Sequence, residues 1–476
     1  MHGGAIGQAG GLVHPANSGQ IGRGWTPGAR SGSEQHQLRL LNWRDDLQRI
    51  HALPPQRARF IDILDGAIRA GRRLGWLDPV HLERQVLLDR AAAQAGLDDF
   101  GDDWFLKPFD ILLESVNGEA RLNAAGEIAA QQQFQKVLVD RLWAQMWFAR
   151  HPEILARPVR RPVVIVGPMR SGTTRLHRLL ASDHRFSHMR SFETISPVPR
   201  PEFEDPSTRD SRPILAARIM KVARLANPRT LSIHPTGPYE PEEELGLLVA
   251  SMYGMKHEAQ WQVPTYGRWC EETDATPAYR YMADLLRLIG WSQQISSIRR
   301  WIMKTPQHML DLPALLNVFP DARLIFTHRD PKAVVGSAAS LAWNQTIIYS
   351  DSVHPADIGR EWLRKTELEI TRMRKARESI PAERMMDVQF ADMDRDWRGT
   401  MARIYAFLDM EMEPAQPAME AYVARSRRLK QKPHRYSLEQ FGLSEADITN
   451  SLGEYARSFA IPAEGAAPPS KRRKAG

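Results

Sequence analysis

Cysteine is nearly absent from this 476-residue chain, where Cys270 stands alone. An intrachain disulfide is therefore excluded, and so is a metal site built on several cysteines. The lack of disulfides suits a reducing compartment. No run approaches the ~20 apolar residues needed to cross a bilayer. The opening MHGGAIGQAGGLVHPANSGQIGRGW has no charged stretch leading into an apolar one, so it does not read as a secretory signal, and the cytoplasm is the expected location. Zinc-finger spacing, an RNP-type signature and a basic stripe interleaved with aromatics are missing as well. The formal net charge of +8 would admit nucleic acid, membrane lipid or a polyanionic small molecule, but the arginines are spread along the chain, often beside Glu or Asp. No nucleic-acid partner is expected. The terminal KRRK keeps a basic nucleic-acid-binding protein as a distant alternative.

What is present suits a globular chain: 42% hydrophobic and 25% charged residues, with 13 Trp and 15 Phe to fill a core. The length suggests two domains, or one large decorated domain. Residues 1–37 are rich in Gly, Ser and Gln and read as a disordered leader. From 38 to 150 the apolar spacing is helical; Phe134, Val137, Leu138, Leu142 and Met146 recur at steps of three or four. At Arg161 the pattern changes. RPVVIVG is a continuous β-branched run ending in Gly, as in a strand buried on both faces of a parallel sheet. RRWIMK (299–304), ARLIFTH (322–328) and VQF (388–390) are further strands, with helical segments between. Alternation of this kind predicts a three-layer α/β fold over 151–462, a parallel sheet of the P-loop type flanked by helices with an N-terminal helical region. Residues 463–476 read as a basic disordered tail.

GPMRSGTT (167–174) lies between a buried strand and a helix. Gly167 and Gly172 allow close approach, and the amides of residues 170–174 converge where the helix dipole favours an anion. Arg170 adds a fixed charge; Ser171, Thr173 and Thr174 add hydroxyl donors. The frame is that of a Walker A loop except that Thr173 stands where Lys belongs. ATP chemistry also asks for an acidic strand end to hold Mg²⁺, whereas the strands here end in His328 and Lys304. A P-loop kinase or NTPase therefore ranks below a reading without metal. In RLIFTHRDPKAVVGSAASL (323–341) Arg329 follows a strand end, Asp330 can cap, Pro331 suits the first helical turn, and Ser337 comes eight positions after Arg329.

PMRSGTTRLHRLL resembles the 5′-phosphosulfate loop of sulfotransferases that use 3′-phosphoadenosine-5′-phosphosulfate (PAPS), especially the branch of tyrosylprotein and bacterial enzymes. The resemblance implies sulfuryl transfer to a hydroxyl or amine by in-line displacement. It implies that Arg170, Ser171, Gly172, Thr173 and Thr174 hold the 5′ end of the donor, and Arg329 and Ser337 its 3′-phosphate. KQKPHRYSLEQFGLS (430–444) resembles the basic loop over the nucleotide, with Lys432, His434 and Arg435 as candidates. By the same resemblance Glu193, 23 residues beyond Arg170, is the general base, Lys304 stabilises the bridging oxygen, and His308 is the rival base. YEPEEEL (239–245), with Pro241 at a first turn and Glu242, Glu243 and Glu244 behind it, reads as a helix start. The expected partner is a small-molecule, glycan or lipid acceptor, a homodimer is admitted, and no metal is expected.

Overall fold

The computed structural model describes residues 57–205, 208–229, 236–428 and 436–464. The expected leader and most of the expected tail lie outside them. In the N-terminal helical region come α1 (Arg59–Arg73), α2 (Arg84–Ala95), α3 (Leu106–Gly118) and α4 (Ala124–Arg150). The α4 start is set by Asn123, whose side chain accepts from the Gly126 N–H at 2.7 Å. Its sequence periodicity is realised in part: Phe134, Leu138 and Leu142 are wholly buried, while Val137 and Met146 are only partly so. Phe109, Phe134, Leu138 and Trp147 belong to the same buried cluster as Val164, Val166, Leu324 and Phe326. The N-terminal helices thus extend the core on one side of the sheet.

The sheet has five strands, β1 (Val163–Val166), β2 (Phe186–Ser187), β3 (Arg300–Lys304), β4 (Arg323–His328) and β5 (Met385–Gln389). Their order is β2-β3-β1-β4-β5, and every neighbouring pair is parallel. All four β1 residues are buried, as the unbroken β-branched run predicts for a central strand. Val164 lies in register with Met303 on one side and Leu324 on the other. The last strand begins three residues before the expected VQF, and Phe390 belongs to the next helix.

Alternate β1 residues feed two different layers. Val163 and Ile165 pack with Leu176, Leu179 and Leu180 of α5 (Thr173–Ala181). Farther along come α6 (Arg212–Ala226) and α7 (Thr276–Ser292). Val164 and Val166 face the other layer with Val335 of α8 (Pro331–Tyr349). The helix after β1 and the helix after β4 therefore lie on opposite faces of adjacent strands. That opens a crevice at the carboxyl edge between β1 and β4, the place where open α/β sheets bind ligands.

Candidate active site

The loop after β1 is shaped by backbone that other residues would disrupt. A Cβ on Gly167 would stand 2.1 Å from the Thr327 hydroxyl oxygen. Gly172 has φ +89°, and a Cβ there would stand 2.6 Å from the Phe390 ring. Arg170 itself is left-handed at φ 71°, a conformation that costs a non-glycine residue about 1–3 kcal/mol and clusters at ligand sites. The bend is fixed from below: the Ser171 hydroxyl lies 2.8 Å from the Pro168 carbonyl oxygen and 2.7 Å from the Thr327 hydroxyl. The N–H groups of Gly172, Thr173 and Thr174 find no acceptor among the described residues, so the start of α5 presents unpaired donors.

Two cationic groups flank this helix start. On the β3 side, Lys304 is 1% exposed, and its ammonium donates to the Thr174 hydroxyl at 3.3 Å and pairs with the Glu243 carboxylate. The Lys304 N–H donates to Glu244 at 2.7 Å. The acidic run is therefore not a helix's first turn. The helix starts only at Leu245, and Glu243 and Glu244 precede it, turned onto Lys304. Sequence reasoning missed this because three acids ahead of an apolar segment look the same whether they face the helix dipole or a distant strand end. Below the loop, His177 of α5 is wholly buried, and burial followed by the nearby Lys304 pushes its pKa well below the usual value.

On the β4 side, Arg329, Ser337 and Arg170 come together as expected of an anion anchor. The Arg170 Nε donates to the Ser337 hydroxyl at 3.0 Å, and the Arg329 Nη1 donates to the Arg170 carbonyl at 2.6 Å. Arg329 also lies over the Phe390 ring, 4.1 Å from its centroid. Burial and then the neighbouring Arg329 lower the Arg170 pKa from its ordinary value. Burial works the same way on Arg329, but its contact with Glu464 outweighs that and raises it. Glu464 accepts from Nε at 2.5 Å and Nη2 at 2.9 Å, and the Glu464 N–H donates to Asp330 at 2.8 Å. The second residue of the expected tail from 463 is thus fastened to the anchor.

The two bases expected from resemblance are both buried. Glu193 is 0% exposed, and its carboxylate accepts from the Arg190 N–H at 2.8 Å, the Arg190 guanidinium at 2.5 Å and Gln293 at 2.6 Å. It closes a capping box on the short helix Ser191–Ile195. Wholly buried and already holding three donors, this carboxylate is closed to an incoming acceptor in this structure. His308 is also 0% exposed; its Nδ1 lies 2.8 Å from the Tyr279 hydroxyl, and its Nε2 faces Glu244 at 3.7 Å. Glu243, by contrast, keeps a side-chain exposure of 20%. Lys432, His434 and Arg435 lie outside the described residues, and the first described residue after them, Tyr436, donates to the Ala333 carbonyl at 2.8 Å.

A helix start with unpaired donors, held between a buried lysine and an arginine pair at the edge of one parallel sheet, belongs to the class of α/β proteins that bind a phosphate-bearing ligand there. The particular family is the sulfotransferase family, to which the chain belongs: the family model matches residues 162–414. The chain is similar to omega-hydroxy-beta-dihydromenaquinone-9 sulfotransferase Stf3 of Mycobacterium bovis, with 26% identity over 312 residues, 63% of this chain and 76% of the relative. Among solved structures it resembles sulfotransferase STF1 from Mycobacterium tuberculosis (TM-score 0.69, 29% identity, 79% of this chain and 99% of that one). It shares the fold of STF9 from Mycobacterium avium (TM-score 0.72, 24% identity, 82% and 100%). The protein is a sulfotransferase.

Proposed function

We propose that this sulfotransferase takes its sulfuryl group from PAPS, binding the donor across the β1–β4 crevice. The observation that carries this reading is the convergence of the α5 start, Lys304 and the Arg170–Arg329–Ser337 cluster at one sheet edge. The cradle suits the 5′ end of such a donor, since the Gly172, Thr173 and Thr174 N–H groups at the α5 start find no acceptor among the described residues. Arg329 and Ser337 would hold the 3′-phosphate, with Arg170 bridging the two ends. Phosphate held by one or two guanidinium groups gains charge-assisted hydrogen bonds of about 1.5–3 kcal/mol each.

For the transfer itself, Glu243 replaces Glu193 and His308 as the general base. It is the carboxylate that is both partly exposed and in contact with Lys304. As the acceptor oxygen bonds to sulfur, its proton passes to Glu243 and the bond from sulfur to the phosphate oxygen breaks. Lys304 and the Thr174 hydroxyl then neutralise the charge left on that oxygen. Glu244 holds the Lys304 backbone, and Tyr279 and His308 pack behind it; these are positioning groups. As acceptor we take a hydroxylated lipid first, because the relative Stf3 is named for a hydroxylated dihydromenaquinone.

Calorimetry with 3′-phosphoadenosine 5′-phosphate (PAP) and with AMP tests the donor assignment. PAP should bind at least tenfold more tightly; equal affinity would sink it. Transfer from PAPS should persist in EDTA, because the β3 and β4 ends offer Lys304 and His328 in place of a metal-holding acid. Steady Mg²⁺-dependent ATP hydrolysis would favour the kinase reading instead.

A further inference from the structure

Two helices far apart in sequence leave apolar side chains in water. α1 buries Ile61, Asp65, Ile68 and Gly71. On another face of the same helix Phe60, Ile63 and Leu64 stay 40–72% exposed, and Leu74 and Trp76 just beyond it are 59% and 78% exposed. α6 repeats the pattern. Ile214, Val222 and Leu225 are 48%, 61% and 56% exposed. At helical spacing they share one face with the exposed Arg218 and Lys221, and Arg224 is exposed beside them. The two helices meet where the Ala58 N–H donates to the Ala226 carbonyl at 3.0 Å. Single exposed apolar residues are ordinary, but rows on two adjoining helices mark an interaction surface.

We propose that α1 and α6 form a docking face for an anionic lipid bilayer. Apolar side chains interleaved with Arg and Lys suit that interface, where the former enter the acyl boundary and the latter reach up to the phosphates. A second copy of the chain fits poorly, because a two-fold contact through α6 would set Arg218, Lys221 and Arg224 against their own copies. Residues 1–56 are no better suited, since Arg23, Arg30, Arg39, Arg44 and Arg49 outnumber Glu34, Asp45 and Asp46 there. None of the described helices is long and apolar enough to cross a membrane, so the contact lies on the surface. The observation is independent of the donor site, and donor binding by the variants below should match the unaltered chain.

The test is flotation of the full chain with vesicles of phosphatidylcholine, alone or mixed with phosphatidylglycerol. Partition should be at least about tenfold stronger on the mixed vesicles and weaken with salt. The triple change Arg218→Glu, Lys221→Glu, Arg224→Glu should abolish that difference. Ile63→Ser with Leu64→Ser, and Val222→Ser with Leu225→Ser, should each reduce partition further, with melting temperatures unchanged because these positions face water. Brominated lipid should quench the fluorescence that Trp76→Phe removes. Equal partition of the unaltered chain onto both vesicles, or variants that float as it does, would overturn the proposal. So would a dimer in sedimentation that the serine changes dissolve, since a second copy would then occupy the face.

Discussion

Arg329 cannot give the same two donors to a carboxylate and to a phosphate. Its Nε and Nη2 lie on Glu464, so a 3′-phosphate arriving there has to displace that carboxylate. Glu464→Gln should therefore tighten PAP binding by roughly tenfold to hundredfold, the range of one charge-assisted contact, while AMP affinity stays where it was. Arg329→Ala should act oppositely, removing most of the preference for PAP over AMP. Calorimetry on the two variants reads both, and a Glu464→Gln variant that weakens PAP would show that the carboxylate supports the anchor. At the β3 end the matching residue is Glu243. Glu243→Gln should lower kcat by roughly 10²–10⁴, the range for loss of a general base, with PAP affinity nearly unchanged and a lowered melting temperature, since the buried Lys304 loses its counter-charge. A variant that keeps near-normal turnover would remove Glu243 from the chemistry.

How Glu243 comes to face Lys304 is a question about elements. The segment before Leu245 runs beside the short helix Ser191–Ile195: the Ser191 N–H donates to the Glu240 carbonyl at 2.9 Å, and the Glu242 N–H donates to the Met189 carbonyl at 3.0 Å. The Thr194 hydroxyl donates to the Glu243 carbonyl at 2.7 Å. A Cβ on Gly246 would fall 1.9 Å from the Thr194 carbonyl oxygen, so the two segments touch backbone to backbone. Under the proposed assignment Glu193, by closing the capping box on that helix, positions Glu243. Glu193→Gln should cost about 1–3 kcal/mol of stability, from a buried group that loses charge-assisted partners. It should lower kcat less than tenfold below the melt, so turnover of the folded protein separates the Glu193 variant from the Glu243 one. The same contrast explains what could be read from the chain. β1, β3 and β4 are continuous apolar runs with Gly, Lys and His at their ends, and the motifs riding on those ends, Arg170–Thr174, Lys304, Arg329 and Ser337, were legible with them. β2, two residues long, carries no period to detect. Glu193 stood at a familiar distance from the loop, but distance along the chain does not say which way a carboxylate turns. Glu243 and Glu464 were hidden because their partners lie 61 and 135 residues away.

Across the whole molecule, the charges with the least water set how stability responds to pH. Asp311 is 5% exposed and held by the Tyr253 hydroxyl at 3.1 Å and Gln307 at 2.8 Å; burial pushes its pKa from 3.8 up to about 7. Glu369 is 2% exposed, and burial pushes it from 4.5 to about 8. Its nearby cation Lys365 is already shared between Glu258 and Glu271. Both acids keep their protons in the folded chain at pH values where the unfolded chain has released them. Stability therefore falls as pH rises, from about pH 4 to 7 for Asp311 and from about 4.5 to 8 for Glu369, by at most ~1.4 kcal/mol per unit for each group. Asp387 runs the other way. Burial opposes its ionisation, but hydrogen bonds from His328 and Arg377 prevail and hold its pKa down at about 2. Its contribution is complete above the unfolded value of 3.8 and is lost as pH falls toward 2. Buried His177, His188 (down to about 4) and His257 (down to about 3) stay neutral where the unfolded chain takes up protons, so stability also falls as pH drops below about 6.5, and the optimum should lie near pH 6–7. Denaturant melts across pH 3–8 should give a declining limb above about pH 6.5 that Asp311→Asn and Glu369→Gln each flatten, with Asp387→Asn changing only the acid limb. If neither substitution altered the slope between pH 5 and 8, both carboxyls would have to be ionised in the folded chain, and the buried cluster around Lys365 would need a different distribution of charge.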